Sequence, residues 1–185
     1  MSEHATRRFP AVDWERLVSD RRRSLGSPEH YVGAFEWPPS SQIVDLGCGP
    51  GFFVPALREH GSVVAVDAQP EMLDVLRDRV GPIDAAAATL DVLPFASGAF
   101  DVAWCAFVLH EVPDLPAALA EVRRVLRPGG RLFVLEWDPA PSEHGPPAHE
   151  RIEGEVVAEA LRRAGFSTPG PFPVTHCQYG LAALR

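Results

Sequence analysis

Ile43-Val44-Asp45-Leu46-Gly47-Cys48-Gly49-Pro50-Gly51 is a short apolar run that breaks into three glycines at alternate positions, and Phe52 to His60 then follows with helical patterning. A turn free of Cβ atoms lets a ligand lie against the chain and reach the N–H groups at a helix start. The spacing is G-x-G-x-G. It differs from the G-x-G-x-x-G of dinucleotide folds and from the P-loop, which needs a lysine that this chain lacks. Asp67, 22 positions after Asp45, closes the next apolar run, Ser62 to Asp67. A carboxylate at the end of a second strand can accept both hydrogen bonds of a ribose diol, so loop and carboxylate together predict a nucleoside ligand.

Outward from this unit, apolar runs alternate with helix-period segments, the pattern of βαβα with a parallel sheet. Pro70 suits the first turn of a helix that carries Met72, Leu73, Leu76 and Val80 on one stripe. A weak strand is expected over residues 83–89 and a strong one over 100–107. Leu115, Leu119, Val122 and Leu126 mark a further helix, which Pro128-Gly129-Gly130 is expected to stop. Residues 131–137 read as the fifth strand. Residues 138–149 hold four prolines and read as a mobile loop. Ile152 to Ala164 form a final amphipathic helix, and strands near 172–175 and 179–184 complete the sheet. Residues 1–36 are polar and Arg-rich and read as an N-terminal helical cap, leaving 37–185 as one core domain.

Composition narrows the function. The 185 residues carry 17 basic and 25 acidic side chains, for a net charge of −8. That balance argues against nucleic acid as a partner, since phosphate backbones are held by positive surface. Every basic residue is Arg, which removes any mechanism that needs a lysine. Cys48, Cys105 and Cys177 are too far apart for a zinc or redox motif, and the histidines show no regular ligand spacing, so no metal is expected. No signal peptide or membrane-spanning run is present, and the expected setting is cytoplasmic.

The chain resembles the class I S-adenosylmethionine-dependent methyltransferases, within them the ubiquinone/menaquinone-biosynthesis-like (methyltransferase type 11) group. The resemblance rests on VDLGCGPG (44–51), VVAVDAQPEML (63–73), LPF with FDVAW (93–104), VLHEVPD (108–114) and EVRRVLRPGGRLFVLEW (121–137), and spans about residues 14–185. It implies a Rossmann-like, doubly wound α/β fold with a seven-stranded, mostly parallel sheet, the last strand antiparallel and helices on both faces. It implies S-adenosylmethionine as cofactor and S-adenosylhomocysteine as product. By this resemblance Asp45, Gly47, Cys48 and Gly49 surround the methionine part, and Gly51 permits close packing. Asp67 holds the ribose, Ala68 and Met72 cover the adenine, and Cys105 and Ala106 stand beside the methionine moiety. The family commonly has an Asp where this chain has Thr89. Adenine recognition then falls to Thr89, to Asp91, or to the backbone near Leu90.

Methyl transfer needs an aligned nucleophile in a dry pocket rather than a covalent enzyme intermediate. Trp104, Phe107, Trp137 and Tyr31 are candidate walls. A general base assists a phenol, enol or amine acceptor, and His110 and Glu111, just past the fourth strand, are the candidate catalytic pair, with Asp138 behind them. Arg21-Arg22-Arg23 is a solvated helix face or an anion contact. The expected function is methyl transfer to a small molecule by a monomer or homodimer. A non-catalytic adenosyl-binding module of the same fold, and a protein or nucleic-acid methyltransferase, are the alternatives.

Overall fold

The computed structural model describes residues 8–185, so the first seven positions of the expected cap lie outside the described residues. Seven strands form one sheet in the order β3-β2-β1-β4-β5-β7-β6. They are β1 (Ser41–Leu46), β2 (Gly61–Asp67), β3 (Asp84–Ala87), β4 (Phe100–Ala106), β5 (Leu126–Trp137), β6 (Phe172–Thr175) and β7 (Gln178–Leu184). The first five pair in parallel, and β7 runs antiparallel to both β5 and β6. The mostly parallel sheet and its antiparallel last strand are as expected.

The central strands read as near-continuous apolar runs because both faces are covered. On one face α5 (Leu115–Val125) and α6 (Gly154–Arg163) bring Leu119, Val122, Val157 and Leu161 onto Val44, Cys105, Leu132 and Val134. On the other, α2 (Pro28–Val32) and α3 (Val54–Arg58) bring Tyr31, Phe53 and Leu57 onto Ile43, Trp104, Phe133 and Leu135. Leu132/Val134 and Phe133/Leu135 thus divide β5 between two cores with the period of two that a strand imposes. α4 (Pro70–Val80) packs Leu73 and Leu76 against Ala65 beside the glycine loop.

The N-terminal segment lies against the sheet face. A 3₁₀ helix (Ala11–Val18) and the one-turn α1 (Asp20–Arg23) precede α2, whose start is capped by Ser27. Phe35 packs edge-on to Trp104, and Trp37 stacks on His60 at 4.7 Å. The segment is therefore anchored by aromatic contacts with the core.

One boundary differs from expectation. α5 ends at Val125, before Pro128-Gly129-Gly130, because Leu126 already pairs with Phe100. The next paired position is Arg131 with Val102, so the Pro-Gly-Gly stretch lies within an irregularity of β5 rather than acting as a helix stop.

β1 sits between β2 and β4, and the chain leaves it toward β2 before crossing to β4. This reversal of strand order opens a crevice at the carboxyl ends of β1 and β4, the place where open α/β sheets bind ligands.

Candidate active site

A cavity of about 680 Å³ occupies that crevice. Its floor is the glycine loop and Asp67, its side walls are Met72, Thr89, Leu90, Ala106 and His110, and its roof comes from the N-terminal segment and residues 143–147.

The loop geometry depends on two glycines for different reasons. Gly51 has φ +79°, and a Cβ there would stand 2.4 Å from Leu76 Cδ1, so glycine lets α4 close onto the loop. Gly49 has φ +50°, and a Cβ would meet only Leu17 Cδ1, at 3.6 Å, leaving its surface turned to the cavity. Asp67 organises the same loop. Its Oδ2 accepts from Gly49 N–H at 2.8 Å and its Oδ1 from Gln69 N–H at 2.9 Å. Burial pushes the Asp67 carboxyl up, while these N–H groups and Arg8 pull it back.

Asp45 lies beneath the loop, 2% exposed, and its Oδ2 has no hydrogen-bond partner among the described residues. Burial, and then the neighbouring charge of Asp67, push its carboxyl up to about 8. A buried carboxyl in this state is largely neutral at pH 7 and accepts from a cationic ligand group once it gives up its proton. The cofactor of the resembled family, a nucleoside bearing an amino acid and a sulfonium, suits this donor and acceptor set. Asp67 offers carboxylate oxygens at the β2 end, Gly49 an unobstructed backbone, and Asp45 an unanswered oxygen.

His110 and Glu136 form the second part of the site. The 3₁₀ turn Leu109–Glu111 follows β4, and Glu136 is the last residue but one of the parallel neighbour β5. His110 Nδ1 lies 2.9 Å and 3.0 Å from the two Glu136 oxygens, which also accept from Leu109 N–H and Trp137 N–H. Glu136 is 0% exposed. Two carboxyl oxygens so placed fix the proton on Nδ1 and leave Nε2 to gain and lose a proton. Burial alone would lower the imidazole, but the charge and hydrogen bond of Glu136, with Glu111 and Glu150, outweigh it and raise the pKa above the usual histidine value.

Most of the expected site residues meet around the cavity: Gly47, Cys48, Gly49, Asp67, Ala68, Met72, Thr89, Leu90, Asp91, Ala106, His110 and Glu111. Asp45 and Gly51 lie behind the wall. Cys105 points into the α5–α6 core, because strand alternation sends it to the face opposite Ala106. Phe107 and Trp137 line the cavity, whereas Trp104 and Tyr31 are fully buried core residues. Asp138 turns away to accept from Ala140 N–H. Glu111 accepts from Phe9 N–H at 3.2 Å and lies 3.8 Å from His110 Nε2. Residues 138–149 are held rather than loose. The Arg151 guanidinium donates to the carbonyls of Asp138, Ala140, His144 and Pro146 and so ties the stretch together.

Glu136 escaped sequence reasoning, although it had a signal: a carboxylate at the carboxyl end of a strand otherwise buried on both faces. Among the described residues, no cluster of His, Cys, Asp and Glu can hold a metal ion, and no helix is long and apolar enough to cross a membrane.

Residues 44–134 match the methyltransferase domain family. Malonyl-[acyl-carrier protein] O-methyltransferase of Serratia marcescens is 34% identical over 176 residues, covering 95% of this chain and 62% of that protein. The crystal structure of a SAM-dependent methyltransferase from Aquifex aeolicus superimposes with a TM-score of 0.87 at 25% identity, covering 96% of this chain and 99% of that one. In fold and in sequence the chain is similar to the S-adenosylmethionine-dependent methyltransferases. A ubiquinone/menaquinone biosynthesis C-methyltransferase of Shewanella is 40% identical over 109 residues, covering 54% of this chain and 43% of the relative. The chain thus spans about two-fifths to three-fifths of the length of these two curated relatives. The cofactor of the family is S-adenosylmethionine, and the glycine loop, Asp45 and Asp67 are the residues here that fit it.

Proposed function

We propose that the protein methylates a small-molecule acceptor, with Asp45, Gly49 and Asp67 holding the cofactor and His110, oriented by Glu136, accepting the proton of the acceptor. The observation that carries this reading is that His110, held by Glu136, lines the same cavity as the glycine loop, at the carboxyl ends of the strands. S-adenosylmethionine, when bound, supplies a methyl group on a sulfonium and leaves as a neutral thioether.

The residues of the chain do the rest. Asp67 accepts from the ribose hydroxyls, and the Gly49 backbone allows the ligand close approach. Thr89 and the backbone near Leu90 flank the adenine. His110 Nε2 takes the proton as the acceptor atom gains the methyl group, and Glu136 stabilises the imidazolium that results. Phe107 and Trp137 give an apolar wall that limits water near the reacting atoms. Residues 8–36 serve as a cap: Phe9 bridges the site by donating to Glu111 and accepting from Gln69 Nε2 at 2.9 Å. The enclosure suits a metabolite better than a macromolecule.

Incubation of the protein with S-adenosylmethionine carrying a deuterated methyl group and a metabolite extract, read by mass spectrometry, tests the proposal. A labelled small molecule that depends on His110 is the expected result. Label found on protein or nucleic acid alone would oppose it.

A further inference from the structure

The cavity contains a cation that makes no ion pair among the described residues. Arg22 lies in α1 and lines the cavity wall. Its Nε is buried without a hydrogen-bond partner among the described residues, and no ion pair there involves it. Its neighbours in the cap are engaged: Arg21 donates to the Glu143 carbonyl, and Arg16 lies 3.9 Å from Asp13.

Aromatic rings hold the guanidinium in place. Its Cζ stands 4.3 Å from the centroid of Phe107, 5.3 Å from Phe52 and 5.8 Å from Trp137. Phe107 takes a left-handed backbone, φ +58°, to present its ring there, a conformation that costs a non-glycine residue energy and clusters at functional sites. Burial lowers the guanidinium to about 10, with Tyr31 and Glu136 beside it acting the other way, and it remains cationic at neutral pH. Ring faces satisfy the flat surface of a guanidinium and leave its edge donors for another group.

A planar two-oxygen anion matches that donor edge. The nearby Glu136 and the lining residues Glu111 and Glu150 disfavour a dianion, which selects a carboxylate over a phosphate. A carboxylate gripped in this way has its electron density drawn toward the arginine and is a poor nucleophile. It is a handle, and the methylated atom lies elsewhere, toward His110. We infer that Arg22 is a specificity residue that grips a carboxylate of the acceptor while a different atom of the same molecule receives the methyl group. This rests on the methyl-transfer reading of the same cavity.

Calorimetric binding in the presence of saturating S-adenosylhomocysteine tests it, with three matched pairs: 4-hydroxybenzoate and 4-hydroxybenzamide, indole-3-acetate and indole-3-acetamide, hexanoate and hexanamide. At least one acid should bind about tenfold more tightly than its amide, the scale of a charge-assisted contact. The gap should close in Arg22→Gln and narrow in Arg22→Lys, which keeps the charge without the fork. The inference is overturned if no acid is preferred by the parent protein, absence of binding by all six included. It is also overturned if the preference survives in an Arg22→Gln protein that binds S-adenosylhomocysteine as the parent does. A parent that fails to bind S-adenosylhomocysteine would instead remove the methyl-transfer proposal and this inference with it, so the two failures are distinguishable. Should Arg22→Gln not fold, the parent and Arg22→Lys comparisons still decide.

Discussion

The His110 imidazole nitrogen Nδ1 is held between both oxygens of the fully buried Glu136, at 2.9 and 3.0 Å. Glu136→Gln keeps the shape and removes the charge. Desolvation then acts on His110 against Glu111 and Glu150 alone and its pKa falls, so the acidic limb of the kcat/KM profile should move to lower pH. Loss of the oriented base should lower kcat by about 10²-fold or more for an acceptor that must lose a proton. Rate–pH profiles of parent and variant check both effects, and an unmoved limb would separate His110 from the chemistry.

The proposed contact of Asp45 with the cofactor predicts proton release on binding. Its carboxyl is pushed up to about 8, so at pH 7 it is largely protonated before a cationic ligand arrives and more ionised afterwards. Titrations of S-adenosylmethionine in two buffers of different ionisation enthalpy should report net proton release at pH 7. Asp45→Asn should abolish it and weaken binding.

The same raised pKa sets a stability trend in the ligand-free protein. A carboxyl that binds its proton more tightly folded than unfolded contributes stability below its unfolded value, lost as pH rises toward about 8. Asp45→Asn should flatten that decline in Tm across neutral pH. An equally steep decline in the variant would assign the trend to other groups.

Gly49 and Gly51 separate cradle from packing. Gly51→Ala drives a Cβ onto Leu76 and should cost about 1–3 kcal/mol through overpacking, on top of backbone strain. Gly49→Ala meets open space beside Leu17, so its stability cost should stay near the about 1–2 kcal/mol of a left-handed alanine. Cofactor affinity should fall further in the Gly49 variant than that cost explains. Melting curves with and without S-adenosylhomocysteine distinguish the two.

Arg151 holds the proline-rich stretch over the cavity through four carbonyls. Arg151→Ala should speed cleavage after Glu143 by a glutamyl endopeptidase several-fold and raise the acceptor KM more than it lowers kcat. Unchanged cleavage would mean that the prolines alone keep the stretch in place.

These expectations draw on parts of the molecule that differ in how openly the sequence displays them. The glycine loop, Asp67 and the strand–helix alternation are local, and period and spacing mark them without tertiary information. Contacts between distant segments are another matter. Arg22 reaches Phe107 and Trp137, which are separated from it by most of the sheet, and a three-arginine run on a polar segment looks solvated until the cap is folded down. Glu136 is hidden because one carboxylate after Leu132 and Val134 resembles a strand emerging into water. The Arg151 strap is invisible for a similar reason: donation to four backbone carbonyls leaves no pattern in side-chain types. The Pro-Gly-Gly stretch misled because its residues suit a helix stop and a strand irregularity alike, and only the pairing of Leu126 with Phe100 decides between them.

Calorimetric titration of S-adenosylhomocysteine into the parent protein and Asp67→Asn tests the central claim most directly. The account predicts one site in the parent and affinity at least about tenfold weaker in the variant, since an amide replaces the carboxylate proposed to hold the ribose. No binding by the parent, or equal affinity in both proteins, would contradict it.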